Sequence, residues 1–470
     1  MEKISIIWFR QDLRLADNPA LFEACKSNKI LPIYIYDDIN QGEFEIGEAK
    51  KVWLHHSLSS LNEDLSNNLS FFKGSPKAII EELIVEFKIE NVFWNRCYQP
   101  WQIKRDQQIK EFLNNKDINC ESFNGSLLWE PWKVLKNDGT PFKVFTPYYK
   151  NGCLVNIEPR KPLDKPTLPK MVKSNKSSDI NGLNLLPSLN WNSTIEEVWS
   201  FGEKKANEKL DYFLENGLNN YKKGRDFPAS DFVSKLSPHL HHGEISPNQA
   251  WHAAKNKSES DDCYHFCSEL GWREFSYYLL YHFPDLPNKN LQKKFDNFQW
   301  DKNKALLEAW KKGQTGYPII DAGMRQLYKT GWMHNRVRMI VGSFLVKNLL
   351  LHWHHGRDWF WDCLVDADLA SNSAGWQWIA GCGADAAPYF RIFNPITQSQ
   401  KFDPEGEYIR EFVPEIKNLP NKFLFEPYEA PEGILKTHGI KLGETYPYPI
   451  VNLKESRLKA LDTFALLKKA

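Results

Sequence analysis

An α/β N-terminal domain with a Rossmann-like parallel sheet, followed by an all-α C-terminal domain, is the architecture the sequence predicts. Three observations predict it. Through the first 130 residues, short apolar runs alternate with amphipathic stretches. From about Glu158 to Trp191 the chain is rich in Pro, Lys, Ser and Asn and loses its periodicity. From about Ile195 onward the pattern is helical almost throughout. At 470 residues the chain exceeds one ordinary core, so two domains are expected.

Each element follows from local pattern. ISIIWF, ILPIYIYD, LSFF and NVFWN are apolar on both faces, as strands buried in a parallel sheet must be, while Glu48–Ser66 and Pro76–Phe87 have helical periodicity. That alternation calls for helices covering the sheet. The loop after the first strand is RQDLRLADNPAL, without the glycines of a dinucleotide fingerprint. The expected boundaries are 1–130 for the α/β domain, 131–194 for the connection and 195–470 for the helical domain.

Composition narrows the class. The formal net charge is +1, which leaves a nucleic-acid partner to be decided by a local basic footprint. The eight cysteines form no CxxC pair, and Cys263 with Cys267 reads as two thiols on one helix face. MEKISIIWFR lacks a secretory h-region and no apolar run reaches membrane-spanning length, so a monomer in the reducing cytoplasm is expected, without a membrane partner. Tryptophan stands out: of 18, nine fall between Trp272 and Trp378. Such a surplus marks either a heavily packed core or a site that uses π-systems.

Three helical segments carry faces unsuited to a plain core. In GWMHNRVRMIVGSFLVKNLLLHW, Asn335, Arg338, Met339 and Gly342 share a face, as do Glu269, Trp272, Arg273 and Ser276 in SELGWREFSYYLL. In DADLASNSAGWQW, Asp368, Asn372 and Trp376 recur at i, i+4, i+8, and Ala370–Gly375 is a run of small residues that admits either a flat ring or another helix. A partly polar pocket between helices is the usual cofactor site. Upstream, VSKLSPHLHHGEISP places Ser234 and Ser237 before a helix, where they act as caps or as anion contacts.

In order and spacing, IIWFRQDLRLADNPAL, FKVFTPY, SKLSPHLHHGEIS, WREF, TGYPIIDAGMRQL, TGWMHNRVRM, DADLASNSAGWQW and PYFRIFNP resemble the photolyase/cryptochrome family, from residue 4 to about 460. The resemblance implies an N-terminal antenna domain and a helical domain holding FAD. It assigns FAD contacts to Tyr221, Ser234, Lys235, Leu236, Ser237, Arg338, Asp366, Asp368 and Asn372. Asn372 would face the flavin N5, and Arg338 with Asp366 would fix charge beside the ring, the protein supplying position and electrostatics. Trp376, Trp353 and Trp300 match the family's electron-relay tryptophans; Trp310, Trp359 and Trp361 read as core.

Substrate choice rests on single positions. Members similar to (6-4) photolyases carry histidines where this chain has Asn335 and Met339; these two residues resemble class I enzymes acting on cyclobutane pyrimidine dimers. The resemblance then makes Glu269 the hydrogen-bond partner of the thymine carbonyls, with Trp272 and Trp378 stacking on a dimer flipped out of the duplex, as photolyases in general do. Arg225, Arg336, Arg391 and Lys401 are candidate phosphate contacts. Light-driven dimer repair is the expected activity; a blue-light photoreceptor of the cryptochrome type is the alternative. Gln102, preceded by Trp101, stands where folate-binding members carry a glutamate, so methenyltetrahydrofolate competes with a deazaflavin, a second flavin or no antenna. The histidines of HLHH and HWHH lack acidic partners at metal-binding spacing, so no metal is expected.

Overall fold

The computed structural model describes residues 3–155, 157–386 and 388–467; the last three residues of the helical domain expected to reach 470 lie outside the described set. Five parallel strands, β1 Ile4–Phe9, β2 Lys29–Tyr36, β3 Ser70–Lys73, β4 Ile89–Asn95 and β5 Asn119–Phe123, lie in the order β3-β2-β1-β4-β5. A two-residue β6, Lys170–Met171, pairs with the start of β2. All six residues of β1 are buried because both sheet faces are covered. Ile7 and Phe9 enter one apolar cluster with Leu54 and Leu58, and Ile6 and Trp8 enter another with Ile80, Leu83 and Ile109. A continuous apolar strand, rather than an alternating one, is the result. This is the α/β domain the sequence predicts, followed by helices.

The loop that replaces a dinucleotide fingerprint is a structural brace. Arg14, 1% exposed, donates to three carbonyls: Gly243 at 2.9 Å, Asp17 at 2.7 Å and Gly125 at 2.6 Å. Asn18 caps the helix Pro19–Ala24 by accepting from the Leu21 amide at 3.0 Å. Gly243 has φ +73°, and a Cβ there would stand 2.1 Å from the Gln11 carbonyl oxygen, so only glycine fits. The adjoining histidines are spent on packing. His239 Nδ1 lies 2.5 Å from Glu244 Oε2, and His242 Nε2 lies 3.2 Å from the Val365 carbonyl. Among the described residues, no group of three or more His, Cys, Asp or Glu is placed to hold a metal ion.

The chain forms two compact units that interleave in sequence. The first comprises residues up to Asn219 with Ser234–Pro284 and Val365–Asp368; the second comprises Asn220–Val233, Asp285–Leu364 and Leu369 onward. The second is helical, with Pro318–Thr330, Asn335–Ser343, Trp353–Cys363 and Leu369–Ala380 around a core that includes Trp310, Val341, Phe360 and Trp376. The apolar stretch read as one helix through residue 353 is in fact broken. After Ser343 it widens into a π-helical stretch, Phe344–Asn348, and Leu350 turns with φ 52° before His352 caps the next helix. No described helix is long and apolar enough to cross a membrane.

Candidate active site

In the first unit, the helix Asp261–His282 starts at Ser260, whose Oγ accepts from the Cys263 amide. Eleven of its 22 residues are buried, and Glu269, Trp272, Arg273 and Ser276 are each half-buried. The shared face read from the spacing is therefore a partly open one. Trp272 stacks on Phe145, centroids 3.8 Å apart and planes 13° off parallel. Glu269 Oε1 lies 3.8 Å from His265 Nε2.

The same unit brings Ser234–Ser237 to Asp366 and Asp368. Ser237 Oγ donates to Asp366 Oδ2 at 2.6 Å, and the Tyr277 hydroxyl donates to Asp368 Oδ2 at 2.5 Å. Lys235 adopts φ 50°, which turns the run sharply before Leu236 is buried. Lys50 is also here: burial pushes its ammonium down to about 7 despite the pull of Asp368 and Asp366. Arg273 lies 4.7 Å over the Tyr277 ring. Beside it, burial raises the carboxyl of Glu274 to about 7, although it accepts from Arg273 and from the Leu128 amide at 2.8 Å. Lys50, Tyr277, Phe145 and Glu274 were not singled out from the sequence. Apart from Arg273, their partners Asp366, Asp368, Trp272 and Leu128 lie 91 to 318 positions away, and no periodicity signals such a contact.

In the second unit, Asn335 opens its helix, capped by His334, whose Nδ1 accepts from the Arg336 amide at 3.2 Å. Asn335 is exposed and Arg338 and Met339 are half-buried, while Gly342 is buried. Arg338 Nε donates to the Met333 carbonyl at 2.7 Å. On the helix Leu369–Ala380, Asn372 Nδ2 donates to the Arg357 carbonyl at 2.9 Å, which fixes the amide so that Oδ1 is its acceptor atom. Ser371 and Gly375 are exposed, and a Cβ at Gly375 would meet nothing within 4 Å. An open stripe beside an oriented amide oxygen fits a flat heteroaromatic ring with an N–H donor, such as reduced flavin. Trp378 is half-buried.

The three relay candidates lie in this unit. Trp376 is 4% and Trp353 0% exposed, while Trp300 is half-buried. A Cβ on Gly356 would stand 2.0 Å from the Trp376 ring, so that indole rests on the helix that begins at Trp353. Trp353 Nε1 donates to Asn290 Oδ1 at 3.0 Å. Trp310, read as core, is fully buried, with its ring centroid 6.2 Å from that of Trp376. Trp359 and Trp361, also read as core, are only half-buried.

The four phosphate candidates are placed unlike one another. Arg391 and Lys401 are exposed and Arg225 is half-buried over the Tyr221 ring at 5.6 Å. Arg336 is engaged internally: Nη2 pairs with Asp226 Oδ1 at 2.6 Å, and its guanidinium lies 4.4 Å over Phe402. At the point where the strand order reverses, between β1 and β4, the crevice is filled by the chain itself. Arg10 pairs with Asp106 at 2.6 Å and Arg105 with Asp37 at 3.1 Å, and both guanidinium groups flank Trp8. Gln102 is buried there in a reciprocal cap with Gln99.

Comparison with known proteins agrees over nearly the whole chain. Residues 5–167 match the DNA photolyase family and residues 266–466 match the FAD binding domain of DNA photolyase. A deoxyribodipyrimidine photo-lyase of Agrobacterium fabrum is 46% identical, covering 99% of this chain and 98% of the relative. Cryptochrome-2 of Arabidopsis thaliana is 37% identical over 97% of this chain and 78% of the relative. The crystal structure of a bacterial class III photolyase from Agrobacterium tumefaciens superposes with a TM-score of 0.96 at 44% identity, covering 100% of this chain and 98% of that one.

Proposed function

The chain belongs to the photolyase/cryptochrome family, with FAD as its cofactor, and from that premise we propose that it repairs cyclobutane pyrimidine dimers in DNA under blue light. Excited reduced FAD supplies the electron that splits the dimer; the residues supply everything else. Tyr221, Ser234, Lys235, Leu236, Ser237, Arg338, Asp366, Asp368 and Asn372 hold the cofactor. Asn372 offers its amide oxygen to the ring N–H, a neutral partner that tolerates added negative charge on the ring. Glu269 binds the thymine carbonyls, Trp272 and Trp378 stack on the extruded dimer, and Asn335 and Met339 serve substrate choice. Extrusion is easiest where a lesion has already weakened pairing.

The observation that carries this reading is the half-open helix face bearing Glu269 and Trp272, with Trp272 held flat against Phe145. A pure photosensor has no use for a carboxylate and a stacking indole held open together. For subclass we assign class III, on the likeness to the Agrobacterium tumefaciens enzyme, in preference to the class I reading of Asn335 and Met339. For the antenna we favour methenyltetrahydrofolate over a deazaflavin in the sheet crevice, which Arg10, Asp106 and Arg105 occupy.

The test is incubation of the purified protein with an oligonucleotide carrying a thymine dimer, in blue light and in darkness, with a (6-4) lesion in parallel. Loss of the cyclobutane dimer in light alone is expected. No loss in either condition would point to the photosensor. Glu269→Ala should lower repair per photon while the bound-flavin spectrum stays unchanged.

A further inference from the structure

Between the two outer tryptophans of the relay stands a histidine. The ring of His352 lies 5.7 Å from that of Trp353, with planes 25° apart, and 5.1 Å from that of Trp300, at 65°. Its place is fixed on both sides. The strained turn at Leu350 is pinned where the Asp301 amide donates to the Leu350 carbonyl at 2.8 Å, next to Trp300. His352 Nδ1 then accepts from the His354 amide at 3.1 Å as the helix cap. Among their described ring partners, Trp353 also meets His354 and Trp300 also meets Phe298, but His352 is the ring the two indoles share.

We propose that His352 is the spacer of the outer relay step, a neutral imidazole wedged against both indoles through which Trp353 is re-reduced by Trp300. This rests on the reading of Trp376, Trp353 and Trp300 as the relay. The step balances simply. FAD, when bound in its oxidised form under blue light, would supply the oxidant, and Trp376 would pass the hole to Trp353. Trp353 regains one electron from Trp300, and a small thiol in solvent restores Trp300.

The charge state of the spacer matters because both neighbours carry positive charge in turn. An imidazolium there would repel the hole on either side. The surroundings keep it neutral. Burial is the main cause that pushes His352 down to about 4, helped by His355 and Arg357 and opposed by Asp358. Of the groups around it, His354 is itself pushed down to about 3, and Arg357 is paired with Asp358 at 2.7 Å. On the Trp300 segment, Asp301 is paired with Lys459 at 3.1 Å. Both carboxylates named here, Asp358 and Asp301, are thus paired with a cation.

The test compares the holoenzyme with His352→Phe, His352→Ala and Trp376→Phe, following photoreduction in blue light with thiol and the transient absorption of the tryptophan radical. His352→Ala should slow radical arrival at Trp300 several-fold with the bound-flavin spectrum intact, and His352→Phe, which keeps a ring between the indoles but loses the Nδ1 cap, should recover most of that loss. Histidine NMR of the wild-type protein should show His352 neutral throughout the range in which an ordinary histidine titrates, near 6.5. Wild-type rates from His352→Ala, or a photoreduction step near pH 6.5 that His352→Phe abolishes, would overturn the spacer. Unimpaired photoreduction by Trp376→Phe would instead sink the relay reading beneath it.

Discussion

Phe145 and Trp272 meet face to face, though 127 positions separate them, and the contact decides how Trp272 can serve a lesion. One side of the indole is committed to Phe145, so the ring is held as a rigid platform. Phe145 is 6% exposed and so is packed itself. Phe145→Leu keeps most of the volume and removes the flat support. A stability loss of about 1 kcal/mol is expected, in line with a hydrophobic swap of similar volume. Binding to a dimer-containing oligonucleotide should weaken several-fold in fluorescence anisotropy, with photoreduction unchanged. Equal affinity would show that Trp272 needs no platform. The basic residues divide in the same way. Arg391→Gln and Lys401→Gln should flatten the dependence of DNA affinity on salt, each by about one unit of log–log slope. Arg336→Gln, by breaking the ion pair with Asp226, should instead lower stability and leave that slope nearly unchanged.

At the level of helices, the contact of Trp376 with the helix Trp353–Cys363 depends on Gly356. A methyl there would overlap the indole at 2.0 Å, and the ring is walled by Trp310 and Phe360 on other sides. Gly356→Ala should therefore cost about 1–3 kcal/mol as an overpacked core, partly offset by better helix propensity. It should also slow photoreduction by displacing Trp376. A melting curve and a photoreduction trace read the two effects separately, and an unchanged trace would show that the indole has room to shift. Gly356 drew no notice in the sequence, because a glycine in HWHHGRDW has no periodic signature. What was legible were features that repeat locally. β1 was read to the residue, and the other three strands to within two residues, because burial on both faces leaves an unbroken apolar run. The half-open faces at Glu269–Ser276 and Asn335–Met339 were legible because helical spacing brings their residues together whatever surrounds them. β5, NCESF, was missed because it is only partly buried and carries polar residues at an edge. The π-helical stretch at Phe344–Asn348 was missed because its apolar composition suits either winding. Arg336 was grouped with Arg391 and Lys401 because an ion pair to Asp226, 110 positions away, leaves no trace in local pattern.

For the molecule as a whole, the buried ionisable groups place the stability maximum on the alkaline side of neutrality. Burial drives His334 down to about 3, and His241 and His242 downward as well. In the unfolded chain these take up protons near 6.5 while the folded protein does not, so stability is present above that pH and is lost as pH falls through it. His334 alone, 1% exposed, should account for about 1.4 kcal/mol per pH unit below 6.5. Glu274, raised to about 7, and Asp403, raised to about 6, act the other way: each costs stability as pH rises through the range from its unfolded to its folded value. They are outnumbered by the histidines. Above neutrality Lys50, lowered to about 7, and Lys347, lowered to about 8, become neutral in the folded protein while still charged when unfolded, so stability rises further. The rise ends near 9, where thiols ionise in the unfolded chain while burial holds Cys153, Cys267 and Cys382 well above that value when folded; tyrosines follow near 10, with Tyr98, Tyr277 and Tyr408 likewise held well above it. Thermal melts between pH 5 and pH 10 should therefore peak between about 8 and 9.5, with the steepest fall below 6.5. A maximum at or below pH 6 would mean that the carboxyls, rather than the histidines and lysines, control the balance. His334→Asn should lessen the acid fall, since an amide can still cap the helix at Asn335 without binding a proton.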